Sequence, residues 1–170
     1  MRLRIYVLLT LFLASFIVAI MPAFTAEKII EVQYTQLTPA AKKQIDCLAD
    51  NIYFEAGSEP TNGKVAVAMV TMNRVQDDRF GKDICSVVKQ KVNSTCQFSW
   101  YCEGKKHIRS WSLYEEAREV ALHVYANYEN MKDITSGALY YHADYVNPRW
   151  KLKKTTTIGR HIFYKERDGI

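Results

Sequence analysis

Apolar positions recur at helical spacing over several stretches of the chain. Ile45, Leu48, Ala49, Ile52 and Ala56 fall on one face. Thr38 suits the cap of that helix and Pro39 its first position, while Gly57 offers a left-handed stop and Pro60 blocks resumption. Residues 64–75 are mostly apolar, with Thr71 and a polar Asn73-Arg74 near the end; alanines and methionines there predict a buried helix despite Val65, Val67 and Val70. Asp83 precedes a short helix bearing Ile84, Val87 and Val88. Ser112 and Glu115 have the spacing of a capping box, for a helix reaching about Tyr128 with Leu113, Val120, Ala121 and Val124 inward. Residues 93–106 show no period and read as a long loop. Residues 138–142 and 155–164 read as strands, the second interrupted by Gly159. The expected fold class is α+β, mainly helical with a small late β-sheet.

The chain start has a different texture. Residues 5–24 carry no charge, Arg2 and Arg4 precede them, and Glu27-Lys28 follow. This is the pattern of an export signal or an N-terminal membrane anchor over residues 1–26. Cleavage after Ala26 would leave Phe24, a poor residue, three positions inside the cut. Either form places the domain of residues 38–170 outside the cytoplasm, in the periplasm or cell envelope. Membrane attachment would then run through residues 5–24. Residues 27–37 read as a linker or leading strand.

Composition sharpens this picture in two ways. The leader holds two arginines and no acid, so without it the net charge falls from +5 to +3. A mildly basic domain suits an anionic wall or membrane surface, and without a dense Lys/Arg stripe it does not suggest a nucleic acid. The four cysteines, Cys47, Cys85, Cys96 and Cys102, form an even set in an exported chain, which favours two disulfides over a zinc site. Three pairings are open.

Glu55 is the leading candidate for chemistry. At ~100° per residue it lies about 20° from Leu48, at the border of the apolar stripe. A carboxyl group beside apolar neighbours resists ionisation and can serve as a general acid. A buried glutamate satisfied by an amide or an arginine has the same pattern. Asp46 and Asp50 fall on the polar side, where solvation is expected.

The residues around Glu55 resemble a known family. Asn51-Ile52-Tyr53-Phe54-Glu55-Ala56, Glu59-Pro60, Gly63-Lys64-Val65-Ala66-Val67-Ala68 and Asn73-Arg74-Val75 are similar to SleB-type cell-wall hydrolases, which include spore cortex-lytic enzymes. Cys96-Gln97-Phe98-Ser99-Trp100 looks like that family's central motif. Tyr140-Tyr141-His142-Ala143-Asp144, Val146, Pro148, Trp150 and Ile158-Gly159 through Tyr164 look like its closing block. The resemblance implies a lysozyme-like domain acting on peptidoglycan glycan strands, between N-acetylmuramic acid and N-acetylglucosamine. It aligns Glu55 with the family's catalytic glutamate and implies lytic transglycosylase chemistry, in which one Glu is acid and then base. No cofactor or metal is implied, and a monomer is expected. The family often has Glu-Ala-Arg-Gly-Glu where this chain has Glu55-Ala56-Gly57-Ser58-Glu59, so a possible charge partner is missing.

Gln97, Ser99 and Trp100 are expected to line the cleft, with Tyr140, Tyr141, His142 and Trp150 as its opposite wall. Glu59 is expected to anchor a loop rather than act as a second acid. Other readings compete: a wall amidase or peptidase with a cysteine nucleophile and His142 or His161 as base, a non-catalytic wall-binding module, and a zinc hydrolase resting on His142, Asp144 and His161.

Overall fold

A computed structural model describes residues 30–77, 79–104 and 107–167. The expected signal or anchor segment lies outside the described residues. Helix α1 (Pro39–Ala56) starts as its sequence dictates: Thr38 accepts a hydrogen bond from the Ala41 amide and Pro39 occupies the first turn. Ile45, Leu48, Ala49, Ile52 and Ala56 are all buried. The end of the helix departs from expectation. Gly57 stays right-handed, with φ −56°. The stop comes instead from Pro60, which has no amide hydrogen to donate and caps helix α2 (Thr61–Val75) directly.

Asp83 caps α3 (Ile84–Val88) through a reciprocal box with Ser86. The expected loop that follows is more ordered than its sequence suggests. Strands β1 (Lys91–Val92) and β2 (Thr95–Cys96) form a hairpin. Asn93 and Ser94 at its tip both have positive φ, 49° and 68°, as a two-residue primed turn requires. Helix α4 (Ser99–Cys102) completes the segment. Helix α5 (Trp111–Asn127) is capped by Ser110, whose hydroxyl accepts from the Leu113 amide. The cap therefore lies two residues before the expected Ser112, which sits inside the first turn.

Strands β3 (Tyr140–Ala143), β4 (Lys153–Ile158) and β5 (His161–Lys165) form an antiparallel sheet in the order β3-β5-β4. The interrupted apolar run is thus a hairpin turning at Gly159. The class is α+β. Helix α1 is the central element, packed against α2, α3 and α5 around Ile45, Leu48, Ile52, Ala68, Val88 and Val124. A smaller cluster of Ala66, Val70, Ala138 and Phe163 fastens the sheet to α2, and Tyr141 packs against both clusters.

Two disulfides use all four cysteines. Cys47–Cys85 ties α1 to α3, and Cys96–Cys102 ties the short hairpin to α4. Asp46 and Asp50 are not simply solvated. Each is half-buried and accepts a phenolic hydrogen bond, from Tyr34 and Tyr114 respectively. The described part of the expected linker is docked on the body. Ile30 exchanges two hydrogen bonds with the Asn127 side chain, and Tyr34–Gln36 forms a 3-10 turn rather than a strand. Among the described residues no helix is long and apolar enough to cross a membrane.

Candidate active site

The last turn of α1 is fixed by aromatic packing. Phe54 stacks on Trp100, with ring centroids 4.6 Å apart, and Tyr53 meets Phe54 edge-on at 5.0 Å. The Tyr53 hydroxyl also accepts from the backbone amides of Arg109 and Ser110, at 2.8 and 3.1 Å. These contacts leave Glu55 half-buried at the border of the apolar face, where helical spacing puts it. Across from it stands β3. The Tyr141 hydroxyl donates to Glu55 Oε2 at 3.2 Å.

The electrostatics of this pair follow from burial. Desolvation raises the Glu55 pKa above the usual carboxylate value, and the Tyr141 hydrogen bond and the Arg74 charge only partly offset it. Burial and the neighbouring carboxylate push Tyr141 well above its ordinary value, so Tyr141 remains a neutral donor. A carboxyl group that resists ionisation and is oriented by one hydroxyl is equipped to hand over a proton.

Arg74 is a residue that sequence reasoning passed over. It is 5% exposed, and its Nε donates to the Leu139 carbonyl at 2.8 Å. Its guanidinium lies over the rings of Phe80 and Phe98. Beside it, Asn73 bonds Asp133, Ala138 and Tyr128. This pair ties the end of α2 to the chain leading into β3, and so sets where Tyr141 stands. The polar Asn73-Arg74 break in an apolar helix was the available signal.

The central motif alternates in exposure. Gln97 and Ser99 are exposed, whereas Phe98 and Trp100 are buried. The Trp100 indole donates to Asn51 at 3.2 Å, and Asn51 in turn donates to Thr71. Trp100 is therefore part of the core. Its polar group and one ring face are committed to the core, and it supports the helix turn that carries Glu55. Beside that turn, a depression of about 430 Å³ is lined by Phe54, Gly57, Ser58, His107, Arg109 and Leu113. His107 and Arg109 lie between the aperiodic residues 93–106 and the helix that follows, where the sequence gave no signal.

The expected opposite wall divides. Strand alternation puts Tyr141 and His161 on the face toward the helices, where their rings lie 5.2 Å apart. Tyr140 and His142 take the other face with Trp150 and Tyr164. Of the four residues expected to form that wall, Tyr141 is the one bonded to Glu55. The same alternation puts His142 and His161 on opposite faces, so the candidate zinc ligands do not converge. The paired cysteines leave no thiol for a nucleophile. Glu59 is anchored as expected: its Oε2 accepts from the Arg160 amide at 3.0 Å.

A family model described as Cell Wall Hydrolase matches residues 58–164, a stretch that begins just after Glu55. The spore cortex-lytic enzyme of Bacillus cereus is 30% identical over 131 residues, covering 74% of this chain and 45% of its own length. That of Bacillus subtilis is 28% identical over 130 residues, covering 72% and 38%. This chain thus spans less than half the length of these relatives. Two solved structures have TM-scores of 0.58: the catalytic domain of the Bacillus cereus SleB protein, and that of the germination-specific lytic transglycosylase SleB from Bacillus anthracis. The first is 29% identical and covers 73% of this chain and 91% of that one; the second is 27% identical and covers 76% and 98%. On the extent of these matches, the chain belongs to the cell wall hydrolase family.

Proposed function

We propose that this protein cleaves peptidoglycan glycan strands between N-acetylmuramic acid and N-acetylglucosamine, by lytic transglycosylase chemistry with Glu55 as general acid and then base. The observation that carries the reading is Glu55 itself, raised in pKa by burial yet oriented by Tyr141 at 3.2 Å. Protonated Glu55 gives its proton to the glycosidic oxygen as the C1–O bond breaks. The resulting carboxylate takes the proton of the same sugar's 6-hydroxyl, whose oxygen bonds to C1 and closes a 1,6-anhydro ring. The leaving sugar departs as an alcohol, and no water is consumed. The hydrogen-bond partner of Glu55 among the described residues is a phenol rather than a second carboxylate, and Glu59 is committed to Arg160, which suits one acid working twice. The names of the relatives point the same way.

Gln97 and Ser99 stand exposed on the loop braced by Phe98 and Trp100, and are assigned to substrate contact. Residues 1–26 are assigned to export, with residues 5–24 able to hold the protein at the membrane, and residues 38–170 to a monomeric, lysozyme-like catalytic domain. The test is mass spectrometry of fragments released from purified peptidoglycan by wild type and Glu55→Gln. Saccharide ends one water lighter than the hydrolysed form, absent with the variant, are expected. Ordinary reducing ends would replace transglycosylation by hydrolysis, and cut peptide stems with intact glycan would overturn the reading.

A further inference from the structure

The outer face of the three-stranded sheet carries a built aromatic surface that Glu55 does not use. Trp150 lies 6.1 Å from Tyr140, 5.4 Å from His142 and 5.8 Å from Tyr164, edge-on to each. His142 is stacked on Tyr164 and bonded to its hydroxyl at 3.0 Å. The indole is thus held in place by three rings, yet the residue is 42% exposed. Arg149, immediately before it, has φ 52°, so the chain makes a left-handed turn to present it. A depression of about 720 Å³ opens beside it, lined by Tyr140, Trp150, Lys151, Arg167, Arg79 and Glu166 among others.

The charges of this depression are sorted. Arg79 is neutralised by Asp77 and Glu166, and Glu166 also accepts from the Tyr140 hydroxyl. Lys151 and Arg167 have no ion pair or hydrogen bond among the described residues. The register opposite Tyr164 puts exposed Lys154 on the same face. A fixed aromatic floor, a satisfied polar pair and unpaired cations suit a ligand with C–H faces, hydroxyls and carboxylates together. A lipid surface would favour a wider apolar cluster, whereas Leu152 is the one aliphatic side chain in this lining and the aromatic rings stand among charged groups. Tyr141, on the reverse face of the same strand, is the residue that meets Glu55, so a strand lying here would not lie over the acid.

We propose that this face is a second peptidoglycan-binding surface. It holds a length of glycan away from the reacting bond, with Trp150 against a sugar ring and Lys151, Lys154 and Arg167 against stem-peptide carboxylates. The proposal rests on the wall being the substrate, as argued above. Its effect is retention on insoluble wall rather than bond cleavage.

The test uses the full chain with Glu55→Gln, so that binding is read without turnover. Sedimentation with purified sacculi is expected to weaken by about tenfold for Trp150→Ala and for Lys151→Ala/Arg167→Ala, the size typical of losing an aromatic or charged anchor. In the Glu55 background, Lys151→Ala/Arg167→Ala should cut short soluble glycan fragments at the wild-type rate but clear sacculi more slowly. Unchanged sacculus binding in both variants overturns the proposal. An equal loss of turnover on short fragments overturns it too, because the surface would then belong to the catalytic groove. Weakened binding to anionic vesicles with sacculus binding intact would assign the face to membrane and likewise overturn it. Failure of the wild type to cut any glycan would refute the function while leaving the binding comparison readable.

Discussion

Glu55 and Tyr141 come from residues 86 apart in sequence and meet through one hydrogen bond. The sign of their coupling can be worked out. Burial raises the Glu55 pKa, and the Tyr141 bond lowers it because the hydroxyl stabilises the ionised form. Removing that hydroxyl should therefore raise the pKa further. An enzyme that needs Glu55 protonated loses activity as pH rises through this pKa, so the alkaline limb of the pH–rate profile should move upward in Tyr141→Phe. Turnover below the limb should fall about tenfold, since a hydrogen bond to a charged group is worth ~1.5–3 kcal/mol and the second half-reaction of the proposed mechanism relies on the carboxylate being oriented. A profile unchanged in both height and position would remove Tyr141 from the mechanism.

Among the elements, the turn between β4 and β5 matters beyond its length. Gly159 has φ 56°, and a Cβ there would lie 2.0 Å from Glu59 Oε2. Glu59 belongs to the link between α1 and α2, so this contact joins the sheet to the helix that bears Glu55. Gly159→Ala should destabilise the fold by about 1–3 kcal/mol, from the left-handed backbone and the clash together. Adding Glu59→Ala should recover part of the loss, because it removes the clash but not the backbone cost. Chemical denaturation of the two single variants and the double variant checks this; strict additivity would mean that the two turns do not meet.

For the whole molecule, the disulfides divide the stabilising work unequally. Cys47–Cys85 spans 38 residues and Cys96–Cys102 spans 6. On loop-closure entropy, removing the first should cost about 4 kcal/mol and the second about 2 kcal/mol. Cys47→Ala/Cys85→Ala should therefore lower the melting temperature more than Cys96→Ala/Cys102→Ala does. The smaller pair closes the loop that braces Phe98 and Trp100, so its loss should affect activity more than its stability cost suggests. Melting curves and wall clearance measured on both variants test the ranking, and the reverse order of melting temperatures would contradict it.

What was legible in the sequence was local. The start of α1, its buried face, the border position of Glu55 and the cap of α3 all follow from spacing and side-chain chemistry within a few turns. The even set of four cysteines, behind a leader that reads as an export signal or anchor, announced two disulfides, and the separated motifs announced the family. The pairing of those cysteines, the partner of Glu55 and the role of Arg74 were decided by tertiary structure, because each depends on residues far apart in the chain coming together. The division of Tyr140, Tyr141, His142 and Trp150 has the same origin. Their order suggests one wall, but a strand sends alternate side chains to opposite faces, and only the docking of the sheet on α2 settles which face meets the acid. Trp100 shows the complementary case: an aromatic suited to a sugar is also suited to a core, and the nearness of Phe54 and Asn51 put it in the core.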